Sequence, residues 1–169
     1  PGCSLHSTAS EFNTSAQAVC QALGLELVEP EGWQCCGSTA AHRANPELAF
    51  QLPMENLALI EQSGLREVAM PCAACFSRHK AALYELRHPS HRTGAFQWGN
   101  YTYQDQLEVK TLIDSINSHF GPEQLKEKIK KPLTNLRLVT YYGCLLTRPP
   151  EITEAPNPEN PTDMDALLQ

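Results

Sequence analysis

The sequence predicts an α/β fold, in which a parallel sheet is flanked by helices in Rossmann-like layering and cysteine loops lie at the carboxyl edge of the sheet. Helical and strand-like patterns alternate along the 169 residues, as they do where crossover helices join parallel strands. Two cysteine pairs, Cys35-Cys36 and Cys72-x-x-Cys75, follow expected strands. Ligands of open α/β sheets collect at that edge.

The first part of the chain alternates between helix and strand. Apolar residues at helical spacing predict a helix over 9–23, and Gly24 then provides the usual helix stop. A short apolar run predicts a strand over 25–28. An Asn-Pro pair opens the next helix, which is expected over 45–63 and should be kinked or divided at Pro53.

The rest of the chain continues the pattern less regularly. A strand is expected over 67–70 and a helix over 75–87. After a connector expected over 88–104, apolar spacing predicts helices over 105–119 and 122–131, and an apolar run predicts a strand over 136–142. The proline-rich tail that follows is expected to be extended.

Composition narrows the function classes. The formal net charge is −6, and lysines alternate with a glutamate near residue 128, so a nucleic-acid partner is not expected. The sequence has no run of about 18 apolar residues that would predict a membrane span. Seven cysteines, an odd number, favour metal or redox chemistry over a disulfide framework, and with it a reducing, cytoplasmic location.

Five cysteines have the spacing of a ligand set: Cys3, Cys35, Cys36, Cys72 and Cys75. Thiolates are soft ligands that bind iron–sulfur clusters, zinc or cuprous copper. Adjacent cysteines chelate one tetrahedral ion only with strain but can bind different irons of one cluster. Five ligands also exceed the four of a closed zinc site. The alternative, a role as small hydrophobic core residues, suits a lone cysteine better than this paired set.

Two further cysteines have other expected roles. Cys20 lies on the apolar face of the first predicted helix, so it is expected in the core. Cys144 stands in a Gly-Cys-x-Leu sequence after a predicted strand, which echoes Gly2-Cys3-Ser4-Leu5. The echo suggests that a second copy of a cysteine module begins near residue 136.

Four segments carry a resemblance to a known family. They are Pro1-Gly2-Cys3-Ser4, Trp33-Gln34-Cys35-Cys36-Gly37, Met70-Pro71-Cys72-Ala73-Ala74-Cys75 and Tyr141-Tyr142-Gly143-Cys144. Together they resemble the cysteine-rich CCG module of the heterodisulfide reductase B-subunit family. The resemblance implies that Cys3, Cys35, Cys36, Cys72 and Cys75 ligate a noncubane 4Fe-4S cluster, one of them bridging, at which a disulfide is cleaved in two one-electron steps.

The same resemblance implies a domain organisation and partners. A first CCG module is expected over 1–104, a helical connector over 105–135 and the start of a second, incomplete module with an extended tail over 136–169. The chain is therefore expected to be a fragment that is inactive alone, and Cys144 would ligate a second cluster in the longer protein. Implied partners are electron-donating subunits resembling heterodisulfide reductase A and C, and a disulfide or thiol substrate such as the coenzyme M–coenzyme B heterodisulfide.

Two other functions stay open at this point. One is a zinc-binding structural module that uses Cys35, Cys36, Cys72 and Cys75, or Cys3 in place of one of them. The other is an interaction or electron-relay subunit of a respiratory oxidoreductase, of the glycolate or lactate oxidase type or the succinate:quinone reductase type.

Other side chains near the motif cysteines have weaker candidate roles. Three histidines are candidate proton donors to a leaving thiolate, although surface or hydrogen-bonding roles are more common; they are His6, His42 and His79. Three basic residues either tune the site electrostatically or are solvated helix positions; they are Arg43, Arg78 and Lys80. Trp33 and Phe76 are expected to shield the site from water. The remaining aromatics, Trp98, Tyr101 and Tyr103, are expected to pack the connector.

Overall fold

The computed structural model of the chain describes residues 1–38, 40–88 and 95–168. These residues form, in order, α1 Ser10–Leu23, α2 Ala41–Ala44, α3 Pro46–Gln62, β1 Glu67–Met70, α4 Ala73–Arg87, β2 Gln97–Trp98, β3 Tyr101–Thr102, β4 Glu108–Thr111, α5 Leu112–His119, α6 Pro122–Lys128, α7 Cys144–Thr147, α8 Pro150–Thr153 and α9 Asp163–Leu167.

A short parallel sheet lies at the centre of the fold. β1 and β4 pair in parallel, with Glu67 opposite Glu108 and Met70 opposite Thr111. The α4 and α5 helices both pack against this pair, and α3 packs against α4. The predicted α/β class, a parallel sheet flanked by helices, is therefore confirmed. A separate antiparallel hairpin joins β2 to β3 within the expected connector, part of which (89–94) lies outside the described residues.

Two apolar clusters stabilise the fold. The main one lies between α3, α4 and the parallel pair, and Met54, Leu57 and Leu83 are almost fully buried within it. A smaller one forms where α1 packs on α5 and includes Cys20 and Ile116. Burial of each large aliphatic side chain stabilises the fold by about 1.5–3 kcal/mol, so these clusters set the orientation of the helices that carry the site.

Helix boundaries follow the local sequence signals. Gly24 adopts a φ of 80° and ends α1. The Asn45 side chain accepts hydrogen bonds from the backbone N–H groups of Glu47 and Leu48 at the start of α3. Of the kink or division predicted at Pro53, the division does not occur, because α3 is continuous through it. Pro53 is fully buried, so packing of its ring offsets the helix hydrogen bond that it cannot donate.

The expected helix over 105–119 is wrong in its first part. Residues 108–111 form β4, and only Leu112–His119 is helical as α5. Thr111 and Asp114 form a capping box, in which each side chain bonds the other residue's backbone N–H. A capping box is a sequence signal for the start of a helix. It marks the boundary between β4 and α5, which apolar spacing alone had assigned to one helix.

The expected strand over 25–28 is also wrong, since these residues have no regular structure. Together with Glu67–Met70 of β1 they line a cavity of about 310 Å³. Among the described segments, β1 pairs with β4 and not with residues 25–28. Leu27 and Val28 remain about half exposed.

The last differences concern the end of the chain. Residues 136–142 are irregular rather than a strand, and Val139 is 95% and Tyr141 89% exposed. Apolar, β-branched sequence forms a strand only where a neighbour pairs with it, and neither β1 nor β4 pairs with residues 136–142. The tail after Pro149 is not wholly extended, because it contains the short α8 and α9. Among the described residues, no helix has the length and apolar character needed to cross a bilayer.

Candidate metal centre

Three separate segments of the chain bring five cysteines to one place. Cys3 lies in the turn before α1, and Cys35 and Cys36 lie in the irregular loop before α2. Cys72 is the N-cap residue of α4, and Cys75 is in the first turn of that helix. Because α4 follows β1 directly, the Cys72–Cys75 pair lies at the carboxyl end of this strand, where the sequence placed it.

The sulfur atoms meet in contact pairs. Cys3 Sγ lies 3.8 Å from Cys35 Sγ, and Cys36 Sγ lies 3.5 Å from Cys75 Sγ. The thiols of Cys72 and Cys75 are hydrogen-bonded to each other. Two thiolates on one tetrahedral metal with bonds of about 2.3 Å are roughly 3.8 Å apart. The paired sulfurs thus have the spacing of thiolates that share a metal.

The five cysteines divide by exposure into two sets. Cys3 and Cys35 are exposed, whereas Cys36 is buried and Cys72 and Cys75 are half-buried. We call these the outer pair and the inner three. Within the described parts of the chain, no three Cys, His, Asp or Glu side chains are arranged to hold a single ion. The sulfurs therefore form a chain of close pairs rather than a preformed single-ion cage.

The inner three share protons unequally. Hydrogen bonding from Cys75 lowers the pKa of Cys36 to about 6 and that of Cys72 to about 5. The same two hydrogen bonds raise the pKa of Cys75. Ser38 and Ser4 also stabilise the thiolates of Cys36 and Cys72, respectively. Near neutral pH these shifts favour the thiolate at Cys36 and Cys72, which is the form in which cysteine binds a metal, and the thiol at Cys75.

The outer pair is electrostatically different. The Gly37 backbone N–H donates to Cys35 Sγ and favours its thiolate, but burial and the neighbouring Cys3 thiol outweigh this and raise the pKa of Cys35. Cys35 therefore retains its proton more firmly than Cys36 and Cys72 do.

Two glycines allow the cysteine segments to approach. Gly2 has a φ of +78°, and a Cβ there would lie 3.0 Å from Cys75 Sγ. Gly37 has a φ of +72°, and a Cβ would meet Ala41 Cβ at 2.7 Å and Leu52 Cδ1 at 2.9 Å. Both positions need a left-handed backbone and lack space for a side chain. The Gly of Cys-Cys-Gly is thus required by local packing.

A buried amide on α3 holds the loop that carries Cys35 and Cys36. Asn56 Oδ1 accepts from the Gln34 backbone N–H at 2.8 Å, and Asn56 Nδ2 donates to the Gln34 carbonyl at 2.7 Å. Both backbone groups of the residue before the cysteine pair are therefore satisfied by one side chain. Asn56 was not identified from the sequence, although an amide inside an apolar helical stretch is itself a sign of a buried partner.

The three histidines near the motif cysteines lie in different environments. His79 is buried, and its Nδ1 lies 2.7 Å from the Cys75 carbonyl oxygen. Burial lowers the pKa of His79 to about 4 despite that contact, so the ring is neutral and Nδ1 donates to the carbonyl. This is a hydrogen-bonding role. His42 is exposed on α2, and His6 bonds to Glu29 near the outer pair.

The basic residues lie around α4 and α2 in different environments. Lys80 is buried and forms an ion pair with Glu154, so its description as a solvated helix position is wrong. This long-range pair forms because α8, which Glu154 follows directly, packs on α4. Arg78 is half-buried and Arg43 is exposed.

The aromatic residues and the two remaining cysteines have these positions. Phe76 is buried in the main core against which Cys75 packs, and Trp33 is partly buried beside the outer pair. As expected, the connector aromatics pack on the main core; they are Trp98, Tyr101 and Tyr103. Cys20 is 1% exposed, which confirms its core position. Cys144 is an exposed free thiol at the start of α7.

The donor set fits an iron–sulfur cluster better than a structural zinc ion. Five sulfurs from three segments exceed the ligands of a closed tetrahedral site, and the adjacent Cys35 and Cys36 have different neighbours. Adjacent thiolates with separate partners suit a group that contains several metal atoms.

Comparison with known proteins agrees with this geometry. Residues 1–78 match the family of cysteine-rich CCG domains. The matched range contains all five motif cysteines and ends within α4.

Three relatives are similar over essentially the full chain. It is 35% identical over 171 residues to the 8-methylmenaquinol:fumarate reductase membrane anchor subunit of Wolinella succinogenes, covering 100% of this chain and 59% of that protein. It is 24% identical over 173 residues to the B subunit of the ferredoxin/F420H2-dependent CoB-CoM heterodisulfide reductase of Methanosarcina acetivorans, covering 99% of this chain and 57% of the relative. It is 24% identical over 176 residues to an Archaeoglobus profundus protein named for its likeness to the heterodisulfide reductase B subunit, covering 99% and 58%.

Residues 1–78 therefore match the cysteine-rich CCG domain, and the similarity of the full chain to heterodisulfide reductase B subunits confirms the resemblance that the cysteine motifs indicated. The chain spans less than two thirds of the length of these relatives. All three are named as subunits of redox enzymes or as similar to one.

Proposed function

Because residues 1–78 are a cysteine-rich CCG domain and the whole chain is related to heterodisulfide reductase B subunits, we propose that it is a redox subunit whose five motif cysteines hold a noncubane 4Fe-4S cluster. Its function is to reduce a disulfide, or to relay electrons to or from one. The observation that carries the proposal is the meeting of Cys3 with Cys35 and of Cys36 with Cys75 at metal-sharing sulfur distances.

The cysteines are suited to this role in different ways. Cys36 and Cys72 have lowered pKa values of about 6 and about 5, so they are available as thiolates at neutral pH. Cys75 lies between them and releases its proton when a metal replaces the shared hydrogen bonds. Cys3 and Cys35 complete the set from the exposed side, where a substrate or partner subunit has access.

Such a cluster supplies one-electron chemistry, and two electrons with two protons convert one disulfide into two thiols. The electrons come from partner subunits of the kind that accompany heterodisulfide reductase B subunits. A small-molecule disulfide is the proposed substrate class. The division into a module over 1–104, a connector and a second module from residue 136 remains part of the proposal.

The test is metal and sulfide analysis of anaerobically purified or reconstituted protein. We expect iron and acid-labile sulfide in comparable amounts, with visible absorption from thiolate-to-iron charge transfer. Substitution of Cys36 or Cys75 by Ser should remove both, whereas Cys20→Ala should leave them unchanged. Zinc without sulfide in the wild-type protein would contradict the proposal and favour the structural zinc module.

A second candidate rests on the 35% identity to the fumarate reductase subunit, which exceeds the identity to the heterodisulfide reductases. In this alternative, the protein relays electrons from a quinol without acting on a disulfide. Stopped-flow reduction of the reconstituted protein by a menaquinol analogue, compared with oxidation of the reduced protein by a small disulfide, distinguishes the two. Reaction with quinol alone favours the relay, and reaction with disulfide favours the reductase.

A further inference from the structure

The turn that carries Cys3 and the loop that carries Cys35 are linked by three side chains. Glu29 Oε1 lies 2.7 Å from His6 Nε2 and accepts a hydrogen bond from Trp33 Nε1 at 2.6 Å. The rings of His6 and Trp33 stack with centroids 5.6 Å apart. We call these three residues the Glu29 clamp.

The clamp joins segments that are far apart in sequence. His6 is three residues after Cys3, and Trp33 is two residues before Cys35. The two cysteines are separated by 32 positions, and their sulfurs lie 3.8 Å apart. Neither cysteine lies on a helix or strand, so regular secondary structure does not fix this distance.

The inner three are supported differently. Cys72 and Cys75 are fixed by α4, and Cys36 is buried. The outer pair is exposed. The segments that carry its two cysteines are linked to each other by the Glu29 clamp. A single carboxylate oxygen that accepts from two rings is a charge-assisted arrangement, which is stronger than a neutral hydrogen bond. Burial opposes ionisation of Glu29, but the bonds from His6 and Trp33 outweigh it and lower its pKa.

We propose that Glu29 is a positioning residue that, through His6 and Trp33, holds Cys3 Sγ against Cys35 Sγ. This inference rests on the proposed function in that the five cysteines act as one site. The contact between Cys3 and Cys35 does not require a metal, so the positioning role can be tested in the metal-free protein.

The experiment uses the metal-free full chain. Reduced protein is mixed with oxidised dithiothreitol, which accepts two electrons and two protons as the Cys3 and Cys35 thiols become a disulfide. Quenching with an alkylating agent and peptide mass spectrometry gives the rate of Cys3–Cys35 disulfide formation. The rate of Cys36–Cys75 disulfide formation in the same sample is the internal control.

Three variants make the test specific. Glu29→Ala removes the acceptor, and the Cys3–Cys35 rate should fall about fivefold, as expected for the loss of an exposed charge-assisted link. Glu29→Gln keeps an oxygen in the same place, so it should restore the rate to within about twofold. Glu31→Ala removes an exposed carboxylate from the same loop and should have no effect. The Cys36–Cys75 rate should be unchanged in all three.

The outcomes separate this proposal from the proposed function. A wild-type Cys3–Cys35 rate in Glu29→Ala overturns the clamp, as does a Gln variant that is as slow as the Ala variant. Equal slowing of both disulfides also overturns it, because that result means general destabilisation. If the wild-type protein binds no iron but the clamp variants behave as expected, the cluster proposal fails and the positioning role stands.

Discussion

Replacement of Gly37 by alanine tests how strictly the Cys-Cys-Gly turn is packed. Gly37 has a φ of +72°, and the new Cβ would lie 2.7 Å from Ala41 Cβ and 2.9 Å from Leu52 Cδ1. A left-handed conformation costs a non-glycine residue about 1–2 kcal/mol. Forcing a methyl group into a packed position adds about 1–3 kcal/mol. Gly37→Ala should therefore lower the free energy of unfolding by about 2–5 kcal/mol in total.

Gly64→Ala is the matched control. Gly64 follows α3 with a φ of +87°, but a Cβ there would have no heavy atom within 4 Å. It should therefore show only the backbone cost of about 1–2 kcal/mol. The assay is urea unfolding of the metal-free variants followed by circular dichroism, together with metal content after reconstitution.

The two variants should differ in metal retention as well as in stability. Gly37→Ala displaces the loop that holds Cys35 and Cys36, so its iron content should fall, whereas Gly64→Ala should retain iron at the wild-type level. Equal destabilisation by both substitutions would refute the reasoning, because it would show that the contacts with Ala41 and Leu52 relax without cost.

Three further predictions concern other parts of the molecule. Asn56→Ala removes two hydrogen bonds to a partly exposed loop, so it should cost about 1–2 kcal/mol in urea unfolding and lower iron content; Asn56→Asp, which keeps only the acceptor, should lie closer to the alanine variant than to wild type. Burial opposes ionisation of Glu67, but hydrogen bonds from Ser115 and Lys110 outweigh it and lower the pKa of this carboxyl. As the pH falls from about 5 through that lowered pKa, the wild-type protein should therefore lose more stability than the Glu67→Gln variant. Parallel pH losses in the two proteins would show that Glu67 contributes nothing. In reconstituted protein, mild iodoacetamide should label Cys144 first, because it is exposed, and Cys20 slowly, because it is buried; protection of Cys144 would mean that it has a partner.

The local sequence was sufficient to predict those structural features whose signal lies within a few residues. The helix start at Asn45, the helix stop at Gly24 and the strand over 67–70 were predicted from capping residues and apolar runs. The core position of Cys20 followed from helical spacing. These features depend on neighbours in the chain, so the chain itself specifies them.

The pairing of strands could not be predicted from local sequence in the same way. Residues 25–28 and 136–142 have strand-like composition yet form no ladder, whereas Glu108–Thr111 was merged with a helix and pairs with β1. A strand exists only when another segment lies beside it at hydrogen-bonding distance. Which segments meet depends on how α3, α4 and α5 pack, and a single sequence without that packing does not show it.

The candidate site likewise combines features that the sequence predicts with features that only the packed structure decides. By itself, the sequence determined which five cysteines are the candidate ligands, because their pairing and spacing are chemical signals. Only the tertiary structure separated an exposed outer pair from three inner sulfurs, since burial and sulfur contacts depend on turns that are 32 to 39 residues apart. The supporting side chains, Asn56 and Glu29, also emerged only there, because hydrogen bonds between distant segments form after the helices have packed.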